Sequence, residues 1–161
     1  MTLAYPDNRF LRGNFAPLRL ECDAPDLVIE GELPRELDGT LLRNGPNPYY
    51  PPRDDYHMFS GDGMVHAFRL HDGRVSYRNR WVRTDKLNRE VAAGRALFGT
   101  FGNPATSEPE VRGVRYNVAN TNVLFHGGRL LALEEFNPPF ELDANTLASR
   151  GPCDFEGRLR G

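Results

Sequence analysis

The residue types best suited to chemistry in this sequence are its four histidines, His57, His66, His71 and His126. Neutral imidazole is a good ligand for iron, copper and zinc, so a histidine set raises the question of a metal. Their placement argues against a shared centre. His57 and His66 sit in a glycine-rich stretch, and His71 and His126 fall at hairpin turns, the usual place for a solvated imidazole. The second chemical signal is the acid pair Glu134-Glu135, which follows the apolar run Leu130–Leu133. On continued strand alternation Glu135 shares a face with Leu131 and Leu133, where a buried acid needs a partner. If the strand stops at Leu133, Glu135 is simply wet. Cys22 and Cys153 are far apart and form no C-x-x-C pair, so neither a zinc site nor a disulfide framework is indicated.

The elements that must position these residues read as β. Glycine (16) and proline (13) punctuate short apolar runs, the rhythm of strands joined by turns. Asp26 to Glu32 reads as one strand and Thr40 to Arg43 as a second, which Asn44-Gly45-Pro46-Asn47-Pro48 should close. The clearest hairpin has strands at Met64–Leu70 and Val75–Val82 around His71-Asp72-Gly73. Met64, His66, Phe68 and Leu70 share one face. A second hairpin pairs Val123–Phe125 with Leu130–Leu133 across Gly127-Gly128, and its return strand is apolar on both faces. Phe140, Leu142, Leu147 and Phe155 mark further short strands, with a turn at Asp143-Ala144-Asn145-Thr146. One helix breaks the pattern over Asp85–Ala93, capped by Thr84 and stopped by Gly94. Gly99 to Gly113, with Pro104 and Pro109, reads as a loop. Hairpins without βαβ alternation leave a sandwich or a propeller.

Composition narrows the function classes. Hydrophobic residues make up 39% and charged residues 26%, as in ordinary globular domains. A net charge of −2 gives no footprint for nucleic acid. The densest basic stretch, Arg78, Arg80 and Arg83 around Trp81, reads as a strand end whose arginines reach solvent while Trp81 or Val82 packs inward. Residues 1–30 hold no continuous apolar run, and no later stretch is long enough to span a membrane. A cytoplasmic protein is the expectation.

Four stretches together resemble the carotenoid oxygenase family, which includes carotenoid and apocarotenoid cleavage enzymes, stilbene-cleaving enzymes and the visual-cycle retinoid isomerase. They are Gly13-Asn14-Phe15-Ala16-Pro17, Arg43-Asn44-Gly45-Pro46-Asn47-Pro48, His57 through His66, and Asn120-Thr121-Asn122 with Leu131 through Glu135. Each is generic turn chemistry alone; their order and spacing over nearly the whole chain make the match specific. The resemblance implies an all-β fold, the N-terminal blades of a seven-bladed propeller with one short helix, and a helical cap over an apolar tunnel. It implies Fe(II) held by four histidines, and dioxygen inserted across a polyene or stilbene double bond to give two carbonyl fragments. In the family the first ligand lies in an Ala-His-Pro-like motif shortly after the segment matching Cys153 to Gly161. None of this chain's histidines matches a ligand position, so no metal is expected on residues 1–161 alone. At about 40–45 residues per blade the chain supplies three or four blades at most, with unpaired sheet edges.

Residue by residue, the resemblance makes Glu135 the outer carboxylate partner of an iron-ligating imidazole. In the stilbene-cleaving branch a lysine precedes this glutamate and a tyrosine lies in the earlier loop. Here those positions hold Glu134 and Phe101, which favours a carotenoid or apocarotenoid over a phenolate. Phe59 and Phe101 are candidates to line the tunnel, with core packing as the alternative. A stilbene-cleaving enzyme, or a non-catalytic β module binding apolar ligands or partners, stays open as an alternative. Peripheral membrane contact also stays open.

Overall fold

The computed structural model describes residues 4–53 and 55–159. Period-2 alternation builds its central hairpin: β3 (Gly63–His71) turns through Asp72-Gly73 into β4 (Arg74–Trp81). β1 (Cys22–Ala24) pairs with β4, and β2 (Gly39–Pro46) with β3, giving an antiparallel sheet in the order β1-β4-β3-β2. A second antiparallel sheet runs β5 (Asn122–His126), β6 (Arg129–Leu133), β7 (Phe140–Leu142) and β8 (Ser149–Pro152), in chain order. Each sheet has the four-stranded form of a propeller blade, and the edge strands β2 and β5 lie against each other.

The shared core explains why two sheets stack. Val65 of the first sheet and Val82, just past β4, meet Leu130, Ala132, Phe140 and Leu142 of the second, together with Ala119 and Leu147 from its flanking segments. β6 is buried through Leu130, Leu131 and Ala132, in line with its two-sided apolar pattern. On the opposite face of β3, Met64 packs with Trp81 and Leu87. The face shared by Met64 and His66 therefore meets the helix, while Val65 faces the other sheet. Trp81 Nε1 donates to the Asn47 carbonyl at 2.8 Å, satisfying its buried indole N–H. The flanking arginines are spent on acids: Arg78 and Arg80 on Asp23, and Arg83 on Glu21.

α1 spans Asp85–Ala93. Thr84 accepts the Leu87 N–H, and Gly94 takes a left-handed φ of 68° that closes the last turn. Thr84→Ala is expected to cost about 1 kcal/mol of stability, read as a lower urea midpoint with an unchanged slope.

Four expectations need correction. No strand forms over Asp26–Glu32: after β1, Pro25 offers no N–H, and Leu27 N to Val75 O (2.8 Å) is the one ladder-like bond of that segment among those described. Val28 is left almost wholly exposed. β2 does not stop at Arg43 but pairs through Asn44, Gly45 and Pro46, which faces Gly63. An edge strand tolerates proline because alternate N–H groups point away from the ladder. Leu147 and Phe155 lie outside strands, both at left-handed φ (59° and 52°); Leu147 is still buried in the shared core, and β8 forms at Ser149–Pro152 instead. The Asp143-Ala144-Asn145-Thr146 turn, between β7 and β8, forms as read. Asp143 accepts the Thr146 and Asn145 N–H groups and pairs with Arg150, holding its carboxyl well below the usual range.

Candidate functional site

The stretches that carry the resemblance meet in space, mainly through asparagine side chains. Asn47 bonds both the N–H and the carbonyl of Leu18, tying the N-terminal segment to the end of β2. Asn44 donates to the carbonyls of Ala119 (2.8 Å) and Asn122 (2.9 Å), fastening β2 to the chain entering β5. Asn120 donates to the carbonyls of Gly61 (2.7 Å) and Phe59 (3.2 Å). Gly63 donates its N–H to Val118, at an approach so close that a Cβ would lie 2.1 Å from the Ala119 carbonyl oxygen. Glycine is required there by space, not by dihedral angle.

This junction presents an aromatic array. Met58–Ser60 forms one 3₁₀ turn capped by His57, whose Nδ1 accepts the Phe59 N–H. The Phe59 and Phe101 rings meet edge to face at 5.4 Å, His57 sits 4.5 Å from Phe59, and Phe136 lies 6.2 Å from Phe101. Phe59 is 54% exposed, Phe101 42% and Phe136 63%, so none of the three is buried by the described residues. The Phe101 N–H is fixed by Ser60 Oγ at 2.8 Å. Sequence reasoning missed Phe136 and the ring role of His57. The only signal for Phe136 was a large apolar residue directly after two acids.

The acid pair sits at the rim. β6 ends at Leu133, so Glu135 does not continue the face of Leu131 and Leu133; it is exposed, because Asn137, Pro138 and Pro139 divert the chain. Thr121 Oγ1 lies 3.2 Å from both Glu135 carboxylate oxygens and can donate its single hydrogen to either. Among the described residues no other group bonds this carboxylate, which leaves lone pairs to accept an N–H. Glu134 is half-buried and engaged by the Asn137 side-chain amide. Since Asn120 holds Phe59 and the adjacent Thr121 holds Glu135, two consecutive residues link the aromatic array to the acid pair.

Three of the four histidines are engaged in local hydrogen bonds. His57 Nδ1 is used within its own turn, His66 Nδ1 bonds the Tyr77 hydroxyl (2.8 Å), and His71 bonds Asp38 (3.2 Å). Burial and then the nearby Arg43 push the His66 imidazole below its ordinary value. Among the described residues no three His, Cys, Asp or Glu side chains converge as a metal set.

A buried ion cluster, also missed from sequence, lies beneath the array. Lys86 Nζ donates to Asp62 (2.8 Å) and to Glu90 (2.9 Å), and all three side chains are almost fully buried. Burial alone would lower the ammonium's pKa; the two carboxylates outweigh it and hold it above the ordinary lysine value. The i,i+4 pair in α1 was visible in the sequence, but its burial was not.

Two antiparallel blades, a glycine-tight junction and a rim of aromatics with paired acids define a class. The sequence pattern described as retinal pigment epithelial membrane protein matches residues 15–161, and the chain belongs to that family, the carotenoid oxygenases. It is 44% identical to lignostilbene-α,β-dioxygenase isozyme III of Sphingomonas paucimobilis, over 97% of this chain and 32% of that protein. It is 43% identical to a carotenoid cleavage oxygenase of Mycobacterium tuberculosis, over 98% of this chain and 30% of that protein. The crystal structure of Pseudomonas brassicacearum lignostilbene dioxygenase superimposes with a TM-score of 0.91 at 37% identity, over 98% of this chain and 33% of that one. The chain thus spans about a third of the length of the relatives it matches. Among the described residues no helix is long and apolar enough to cross a membrane.

Proposed function

We propose that residues 1–161 are the N-terminal part of one propeller domain of a non-haem Fe(II) dioxygenase acting on a carotenoid or apocarotenoid. The reaction adds both atoms of O₂ across a carbon–carbon double bond and yields two carbonyl fragments. The observation that carries the reading is the exposed array of Phe59, Phe101 and Phe136 beside Glu134 and Glu135. Exposed rings in contact mark a surface that something apolar covers, and a polyene has the flat shape to do so. Phe101 carries no hydroxyl and Glu134 is an acid, a pairing suited to a neutral polyene and hostile to a phenolate.

Ferrous iron, held in the family by imidazoles that this chain does not supply, provides the dioxygen chemistry. Glu135 accepts the outer N–H of one such imidazole, fixing its tautomer and orientation. In a family-length protein carrying this segment, Glu135→Gln is expected to lower iron retention or turnover about 10–100-fold with the fold intact. Glu134→Gln is the control and should leave iron content unchanged, since its carboxylate is engaged by Asn137. Iron analysis after desalting and the rate of apocarotenoid cleavage under air read the comparison. A silent Glu135→Gln removes the assigned role. The 161-residue chain by itself is expected to be inactive.

The likeness to lignostilbene dioxygenases favours a second reading, cleavage of a phenolic stilbene. Product analysis with an apocarotenoid and a hydroxystilbene in parallel separates them. Turnover of the stilbene alone overturns the carotenoid assignment.

A further inference from the structure

We propose that the buried Lys86–Asp62–Glu90 cluster is a positioning device for the Phe59–Phe101 ring pair, and that Glu90 sets how tightly the apolar substrate is held. This rests on the reading that those rings contact substrate. The cluster consumes every carboxylate oxygen. Asp62 gives one to Lys86 and one to the Tyr49 N–H (3.0 Å). Glu90 gives one to Lys86, and its other accepts the N–H groups of Leu97 (2.9 Å) and Phe98 (3.1 Å). Those two amides begin the loop that carries Phe101.

The cluster therefore grips the Phe101 loop through Glu90, and through Asp62 it fixes the chain three residues past Phe59. Asp62 lies two residues past Ser60, which follows Phe59 and accepts the Phe101 N–H. Glu90 fixes the loop at Leu97 and Phe98, and the Gly99 N–H to Ser107 Oγ bond (3.0 Å) continues the anchorage. Three buried ionic groups are a costly way to hold a loop when apolar packing is available nearby. What the ions add is direction, because hydrogen bonds fix backbone orientation where packing tolerates sliding. A loop free to slide moves Phe101 off Phe59 and opens the apolar contact.

Glutamine at position 90 keeps the shape but has one oxygen, so it must release either Lys86 or the two loop amides. In a family-length, iron-loaded protein, Glu90→Gln is expected to raise KM for the cleaved alkene about tenfold, with kcat and iron content within about twofold. Ser60→Ala, which removes only the Phe101 anchor, should shift KM in the same direction and stands in if Glu90→Gln does not fold. Phe101→Ala should also raise KM, and combining it with Glu90→Gln should add nothing further, since both act through one ring. Amide exchange at Leu97 and Phe98 should quicken in Glu90→Gln. Multiplying KM effects in the double variant, or a fall in kcat or iron without a change in KM, overturns the proposal. If Phe101→Ala leaves KM unchanged, the substrate reading of the rings fails. Amide exchange then judges the clamp separately, and unchanged protection at Leu97 and Phe98 overturns that too.

Discussion

Gly63→Ala is expected to deprive a family-length protein of most of its folded yield. A methyl group at this position would sit 2.1 Å from the Ala119 carbonyl oxygen, 2.7 Å from its carbon and 2.9 Å from the Val118 oxygen. All three are backbone atoms, so no side-chain rotation relieves the clash. The same glycine donates its N–H to Val118 and accepts from Val82, and moving it breaks both bonds. The cost is about 3 kcal/mol or more, a large share of ordinary domain stability. Gly45→Ala is the matched control: Gly45 pairs with Met64 one step along the ladder, yet an added Cβ there meets nothing within 4 Å. Soluble yield and urea midpoint of the two variants test this. Equal stability would mean the β3 entrance is not packed against the 118–119 segment.

Lys86→Met should cost about 3–5 kcal/mol, because it leaves two buried carboxylates facing one another without a counter-charge. Methionine nearly matches the lysine stem in volume, so lost packing contributes little. In the unsubstituted protein the ammonium's pKa is raised on folding. Its contribution is therefore complete below the unfolded lysine value and is lost only as alkaline pH passes the raised folded value. Urea titrations of both proteins across neutral and alkaline buffers read out the stability deficit and this trend. A Lys86→Met variant as stable as its parent at neutral pH would show that the cluster contributes nothing net.

Local signals in the sequence were read correctly where one short-range interaction decides the outcome. Thr84 and Gly94 bracket α1 because an N-cap hydroxyl and a left-handed glycine act within a single turn. The hairpins β3–β4 and β5–β6 follow from alternation and from Asp72-Gly73 and Gly127-Gly128, whose glycines take φ of 72°, 56° and 76°. The errors lie where a neighbour outside the local window decides. β2 survives Pro46 because it is an edge strand, and edge position is a property of the sheet. Asp26–Glu32 has apolar residues for a strand but finds no ladder beyond the Leu27 bond to Val75.

The candidate site divides the same way. The order of the glycine and asparagine motifs placed the chain in its family, because those residues answer to space and backbone geometry that few sequences share. What those motifs do became visible only in three dimensions. Asn44, Asn47 and Asn120 proved to be fasteners between segments distant in sequence. Glu135 was named from the sequence, but its exposure came from the chain leaving β6 at Leu133. Burial of Lys86 and contact among Phe59, Phe101 and Phe136 depend on how the loop after α1 crosses the start of β3. A sequence records which groups are present and their local preferences; desolvation and the meeting of distant side chains are fixed only when the whole chain packs.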